Sequence, residues 1–174
     1  IVLFSPIMLL AALLVKITSP GPVIFKQERV GLHNKPFVMY KFRSMQVQSR
    51  AKERSGWTTR NDARVTGVGK FMRKTSIDEL PQLFNILKGD MSIVGPRPVI
   101  EKERDLLRLR RESYIDKIKP GVTGWAQING RDSIDTYEKI ELEKYYYQNK
   151  NILFNIKITL MTIYKVITRE CVYY

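Results

Sequence analysis

The chain has 174 residues, enough for one compact domain with a sizeable core. Its 30 Lys and Arg against 17 Asp and Glu leave a net charge of +13, which calls for an anionic partner: nucleic acid, an anionic membrane surface or a phosphorylated substrate. One cysteine, Cys171, excludes an internal disulfide, and with His33 as the one histidine a His/Cys zinc site is excluded too, so any metal must be a hard ion on oxygen ligands, such as Mg²⁺.

The chain opens on "IVLFSPIMLLAALLV", apolar except for Ser5 and Pro6. As helix, fifteen residues extend roughly 22 Å, short of the roughly 30 Å of a bilayer core. The run therefore reads as the rear half of a spanning helix, a buried core helix or a re-entrant segment. Pro6 lacks an N–H, and the Ser5 hydroxyl is placed to serve a freed carbonyl, so the Ser-Pro pair suits a bend in an apolar helix. Lys16 ends the run and "TSPGPV" turns the chain out.

Two β-rich stretches flank "GLHNKP", predicting a hairpin over about residues 23 to 44 with His33 as a surface residue of its turn. Lys41 and Arg43 alternate with Tyr40 and Phe42, which puts both cations on one strand face. The polar stretch "QSRAKERSGWTTRNDARVTGVG" reads as a loop. A helix is expected from about Gly69, carrying Lys70, Arg73 and Lys74.

"KTSIDELPQLFNILKG" holds the adjacent carboxylates Asp78 and Glu79. Ser76 and Glu79 have capping-box spacing, but Ser76 as N-cap would bury Pro81 in the helix interior at a cost of about 3 kcal/mol. With Asp78 as N-cap, Pro81 falls where no donor is required. The helix is thus expected to start at Asp78 and to stop at Gly89. The spacing supports two readings: a plain cap, or a carboxylate pair at a helix end that also favours phosphate. Arg97, stiffened in "GPRP", can grip phosphate bidentately.

Further on, "SIVGPRPV" reads as extended, "EKERDLLRLRRESYIDKI" as a charged amphipathic helix and "KPGVTGWAQINGR" as a Gly-rich loop. "DTYEKIELEKYYYQN" reads as a helix with Asp132, Ser133 or Asp135 as cap. In "NILFNIKITLMTIYKVITR" one stripe carries Asn155, Thr159, Thr162 and Arg169, and another Leu153, Ile156, Leu160, Ile163 and Ile167. With Tyr145 to Tyr147 just before it, this suits a helix lying in a membrane interface, or a terminal helix packed on a soluble core. There is no P-loop and no dinucleotide fingerprint.

Taken in order, "SPGPV", "FKQERVG", "KPFVMYKFRSM", "DELPQLFNILKGDMSIVGPRP" and "KPGVTGWAQINGR" resemble the bacterial sugar transferase family, the monotopic polyprenol-phosphate phosphoglycosyl transferases. The resemblance runs from residue 1 to about 170. It implies a membrane-associated, helix-dominated α/β enzyme at the cytoplasmic face of the bacterial inner membrane. In that fold a β-hairpin and helices lie between a re-entrant N-terminal membrane helix (rear half at 1–18, broken at Ser5 and Pro6) and an interfacial C-terminal helix, with the transferase domain over 19–174. The implied reaction moves sugar-1-phosphate from a UDP-sugar to polyprenol (undecaprenyl) phosphate and releases UMP, initiating glycoconjugate or exopolysaccharide assembly. By the same resemblance Asp78 is the nucleophile of a covalent phosphosugar intermediate, Glu79 binds Mg²⁺, and Lys41, Arg73 and Arg97 bind substrate phosphate. Arg131 in the 119–131 loop is a candidate nucleotide contact. Asn155 departs from the pattern, standing where an aspartate is expected. Membrane lipids are expected partners. The sequence leaves open whether a homodimer forms. The alternatives are a non-catalytic basic module on a membrane surface and a nucleic-acid-binding module; nothing matches a groove-reading or base-stacking motif, so no nucleic acid is expected.

Overall fold

The computed structural model describes residues 1–47, 62–130 and 134–168. It is helix-rich, with two small sheets, and divides into two compact units. Among the described residues, one gathers 1–26 and 40–83; the other gathers 27–39 and 84–168.

In the first unit, a 3₁₀ turn over Val2–Phe4 runs into α1, Ser5–Thr18. Pro6 lies in the first turn of α1, where a missing N–H is tolerated. The Ser5 hydroxyl donates to the Val2 carbonyl at 2.8 Å, the service expected of it. Ala11 and Val15 are the buried positions of α1, packed with Phe42 and Met72 and backed by Met8, Ala12, Val23, Ile24, Val68, Ile77 and Leu80. The opposite face leaves Leu9, Leu10, Leu13 and Ile17 exposed. No helix among the described residues is long and apolar enough to cross a membrane.

The predicted hairpin forms from β1, Ile24–Val30, and β2, Pro36–Phe42. Its turn is closed by Gly31 N–H on the Lys35 carbonyl at 2.9 Å. His33 sits there exposed in a left-handed conformation, φ 53°. Arg43, just beyond β2, does not share a surface with Lys41 as the alternation predicted. It is buried and donates to the carbonyls of Ser19 (2.7 Å), Pro20 (2.7 Å) and Val15 (3.4 Å). It thereby satisfies the carbonyls of Ser19 and Pro20, where the chain leaves α1.

Of the expected loop, residues 48–61 lie outside the described residues; where the chain resumes, Val65 bridges Met45. Helix α2, Gly67–Lys74, starts two residues earlier than predicted because Thr66 caps it, accepting from Gly69 N–H at 2.9 Å. Thr66 N–H in turn donates to the Ser44 carbonyl at 3.1 Å. A Cβ on Gly69 would stand 2.0 Å from that same carbonyl oxygen, so only glycine lets α2 lie this close to the strand end.

Helix α3, Gln82–Lys88, leads into the second unit and ends at Gly89 with φ 84°, the predicted C-cap. Strand β3, Ser92–Val94, pairs in parallel with β4, Gly121–Thr123, in register Ser92 with Gly121 and Val94 with Thr123. The "Gly-rich loop" is therefore a strand followed by α5, Trp125–Asn129. Its glycines serve close approach: a Cβ on Gly121 would meet the Gly95 nitrogen at 2.1 Å. The parallel pair needs a crossover, which contains α4, Arg104–Glu112. Helix α4 is shorter than expected, because Tyr114 turns left-handed (φ 58°) and a 3₁₀ turn, Ile115–Lys117, follows.

Helix α6, Thr136–Asn149, is capped by Asp135, which accepts from Glu138 N–H at 2.8 Å. The other two cap candidates, Asp132 and Ser133, lie outside the described residues. Helix α7 spans Ile152–Thr168. Its polar stripe, not its apolar one, faces the unit. Thr162 hydrogen-bonds Thr123 at 2.7 Å, Tyr146 Oη donates to Asn155 Oδ1 at 2.9 Å, and Lys165 reaches the Ile128 carbonyl. Ile158 is buried with Val94, Ile128 and Tyr146. Tyr146 is therefore core rather than an interface residue. The second stripe is bare, with Leu153 79% and Ile167 74% exposed.

Gly69→Ala should destabilise the chain by about 1–3 kcal/mol through overpacking against Ser44, seen as a lowered Tm in a thermal melt. Gly67→Ala, whose Cβ enters open space, should leave the Tm unchanged or raise it slightly.

Candidate active site

Four of the predicted site residues converge in the first unit. Strand β2 supplies Lys41. The last turn of α2 supplies Arg73. The chain then reverses at Ser76, left-handed at φ 55° just past the Thr75 C-cap, which is the usual way for an α-helix to stop. A 3₁₀ turn over Ile77–Glu79 follows and carries Asp78 and Glu79.

Asp78 is thus not the N-cap of α3 as predicted. Pro81 has no N–H to return to the Ile77 carbonyl, and Leu80 N–H takes that carbonyl instead at 3.2 Å. The turn closes three residues apart, and the α-helix begins only at Gln82. Ile77 and Leu80, on either side of the two carboxylates, pack against the α1–β2–α2 core. The apolar neighbours anchor the turn and hold its acids in place.

The two acids have different surroundings. Glu79 Oε1 accepts from Lys41 Nζ at 2.7 Å in a partly exposed ion pair. Asp78 is only 8% exposed. Burial, reinforced by the Glu79 charge, pushes its carboxyl up from the ordinary 3.8 to about 6; Lys41 and Arg73 pull the other way without cancelling the rise. Arg73 is itself held by Ser44, whose Oγ accepts from its Nε at 2.8 Å. Burial lowers the Arg73 pKa, and Asp78 and Asp62 oppose that. Asp62, at the end of the undescribed stretch, is bound by Arg64 and drops to about 2.

The result is a buried basic carboxylate, a second carboxylate tied to an ammonium, and a guanidinium fixed by a hydroxyl. Such a set can neutralise phosphoryl oxygens while presenting a poorly solvated carboxylate nucleophile. Ser44 was not singled out from the sequence; its only signal there is its place directly after the alternating strand. Arg97 belongs to the second unit, half-exposed between the buried Pro96 and Pro98. Arg131 lies outside the described residues.

A family model described as "Bacterial sugar transferase" matches residues 1–169. The chain is 46% identical, over 99% of its length, to a UDP-glucose:undecaprenyl-phosphate glucose-1-phosphate transferase of Escherichia coli, and covers 39% of that protein. It is 45% identical over 95% of its length to a UDP-N-acetylgalactosamine-undecaprenyl-phosphate N-acetylgalactosaminephosphotransferase of Aeromonas hydrophila, covering 40% of it. It is likewise 45% identical to the uncharacterized sugar transferase EpsL of Bacillus subtilis, of which it covers 80%. The chain thus spans about two fifths of the first two relatives and most of the third.

The raised pKa of Asp78 fixes the sign of a stability effect. Between pH 3.8 and about 6 the folded chain keeps a proton that the unfolded chain has released, so stability falls as pH rises through that window and is level above it. In chelator-treated buffer, Asp78→Asn should therefore raise the Tm at pH 8 and leave it close to wild type at pH 3.5.

Proposed function

We propose, from the premise that this chain belongs to the bacterial sugar transferase family, that it transfers sugar-1-phosphate from a UDP-sugar to undecaprenyl phosphate. The observation that carries the reading is the buried Asp78 carboxylate set beside Glu79, Lys41 and Arg73.

In the first step an Asp78 carboxylate oxygen attacks the β-phosphorus of the UDP-sugar. The bond from that phosphorus to the bridging oxygen breaks, UMP leaves, and an acyl-phosphate to the sugar forms on Asp78. In the second step a phosphate oxygen of the polyprenol phosphate attacks the same phosphorus. The acyl-phosphate bond breaks, the carboxylate is restored, and the lipid diphosphate sugar is released. Attack by an anion on a diphosphate meets like-charge repulsion. Lys41 and Arg73 reduce it by drawing charge from the phosphoryl oxygens. Arg97, in the second unit, binds substrate phosphate in this reading.

The residues present suit Mg²⁺. Glu79 offers one carboxylate beside Asp78, and Mg²⁺ is an ion that takes one or two carboxylates, keeps waters and draws its remaining ligands from substrate phosphates. When bound on Glu79, it would supply further neutralisation of the diphosphate.

A lipid acceptor places the reaction at a membrane surface. The bare apolar faces of α1 and α7, with the net charge of +13, support binding at an anionic bilayer. In this reading residues 1–18 form the membrane-inserted part and residues 19–174 the catalytic part on the cytoplasmic face of the inner membrane.

A panel of UDP-sugars with undecaprenyl phosphate and Mg²⁺ in detergent or nanodiscs should show UMP release with one or two of the sugars. Asp78→Asn should abolish it. Arg73→Met should lower the rate by about 10²- to 10³-fold, the scale of losing one charge-stabilising donor. Anionic liposome binding that persists beside full indifference of every readout to Asp78 and Glu79 would instead identify a non-catalytic membrane module.

A further inference from the structure

The segment that carries Arg97 has an unusual hydrogen-bonding problem. Pro96 and Pro98 have no N–H, so the stretch cannot be held as a strand by its own donors. Its carbonyls are held instead, one after another. Gly121 N–H donates to the Pro96 carbonyl at 2.9 Å, and Val30 N–H to the Val99 carbonyl at 2.8 Å. Between them the donors are side chains: Arg110 Nη2 to the Arg97 carbonyl at 3.0 Å, and Arg29 Nη1 to the Pro98 carbonyl at 3.2 Å.

Arg110 is itself pinned. Its Nε and Nη2 donate to the two oxygens of Glu143 at 2.8 and 2.5 Å, a bidentate fork. Both residues are buried, Arg110 6% and Glu143 2% exposed. Leu106, one turn before Arg110 on α4, and Ile140, one turn before Glu143 on α6, pack in one cluster with Val99 and Ile115. An apolar pair would join α4 to α6 at least as well, since desolvation offsets most of the attraction in a buried ion pair. An apolar pair could not donate to the Arg97 carbonyl.

We propose that Arg110, oriented by Glu143, is a positioning residue for Arg97: it fixes the backbone from which that side chain extends and so sets where its guanidinium meets substrate phosphate. The inference rests on the phosphate-binding reading of Arg97.

The test is a double-mutant cycle in the full chain, with UMP release as the rate and a thermal melt as the check on folding. Arg110→Met/Glu143→Met removes the fork and keeps the helix contact. It should retain a cooperative melt near the wild-type Tm and lose kcat/KM by about 10²-fold, the scale of a misplaced binding group. On an Arg97→Ala background the same double change should cause no further loss. Glu143→Gln keeps the size and loosens the grip on Arg110. It is the milder variant that remains measurable if the double variant does not fold, and its smaller loss should also vanish on the Arg97→Ala background. Full rates in folded variants, with Arg97→Ala impaired, would overturn the positioning role and leave the reading of Arg97 standing. Losses that add to that of Arg97→Ala would also overturn it. If Arg97→Ala itself retains the full rate, both the role of Arg97 and this inference fall.

Discussion

A buried carboxylate next to a second carboxylate is an unfavourable arrangement, and the first unit is organised around holding it. Burial and the Glu79 charge both resist ionisation of Asp78, and Lys41 and Arg73 offset only part of that. Each cation is fixed from elsewhere: Lys41 by its strand and by Glu79, Arg73 by Ser44. Ser44 is the joint. Its carbonyl binds the N-cap of α2, its backbone sets how closely Gly69 approaches, and its hydroxyl orients Arg73. An under-solvated acid retained by such supports is the pattern in which stability yields to activity.

The second feature is an inversion of the usual helix pattern. Helix α7 turns Thr162, Asn155 and Lys165 toward its own unit and satisfies them there. It leaves its leucines and every isoleucine but Ile158 outside. Helix α1 buries only Ala11 and Val15 and exposes larger apolar residues. In water such faces are unfavourable. At a bilayer surface they become the favourable side, which suits the lipid-phosphate acceptor proposed for this chain. Asn155, standing where an aspartate was expected, accepts from Tyr146 and braces α6 against α7.

Much of this was legible in the sequence wherever local chemistry decides. The hairpin followed from β-rich runs around a turn, Gly89 from its need for a positive φ, Asp135 from its capping chemistry, and the pairing of Asp78 and Glu79 with basic residues from motif order. What stayed hidden depended on partners distant in the chain. Strand β4 is three residues long, too short for any periodicity to mark it; only its pairing with β3 makes it a strand. The burial of Arg43 and Arg110 is hidden because nothing local shows the carbonyls and the carboxylate that receive them. The start of α3 was misplaced because Pro81 was allowed for inside an α-helical first turn, whereas it converts that turn to 3₁₀ geometry.

The central claim is that Asp78 carries the sugar phosphate between two half-reactions. Exchange of labelled UMP into the UDP-sugar pool, with no polyprenol phosphate present, tests it most directly. The account predicts exchange in the wild-type chain and none in Asp78→Asn. Absence of exchange in a preparation that transfers sugar phosphate normally once acceptor is added would contradict it, because the donor would then react directly with the lipid.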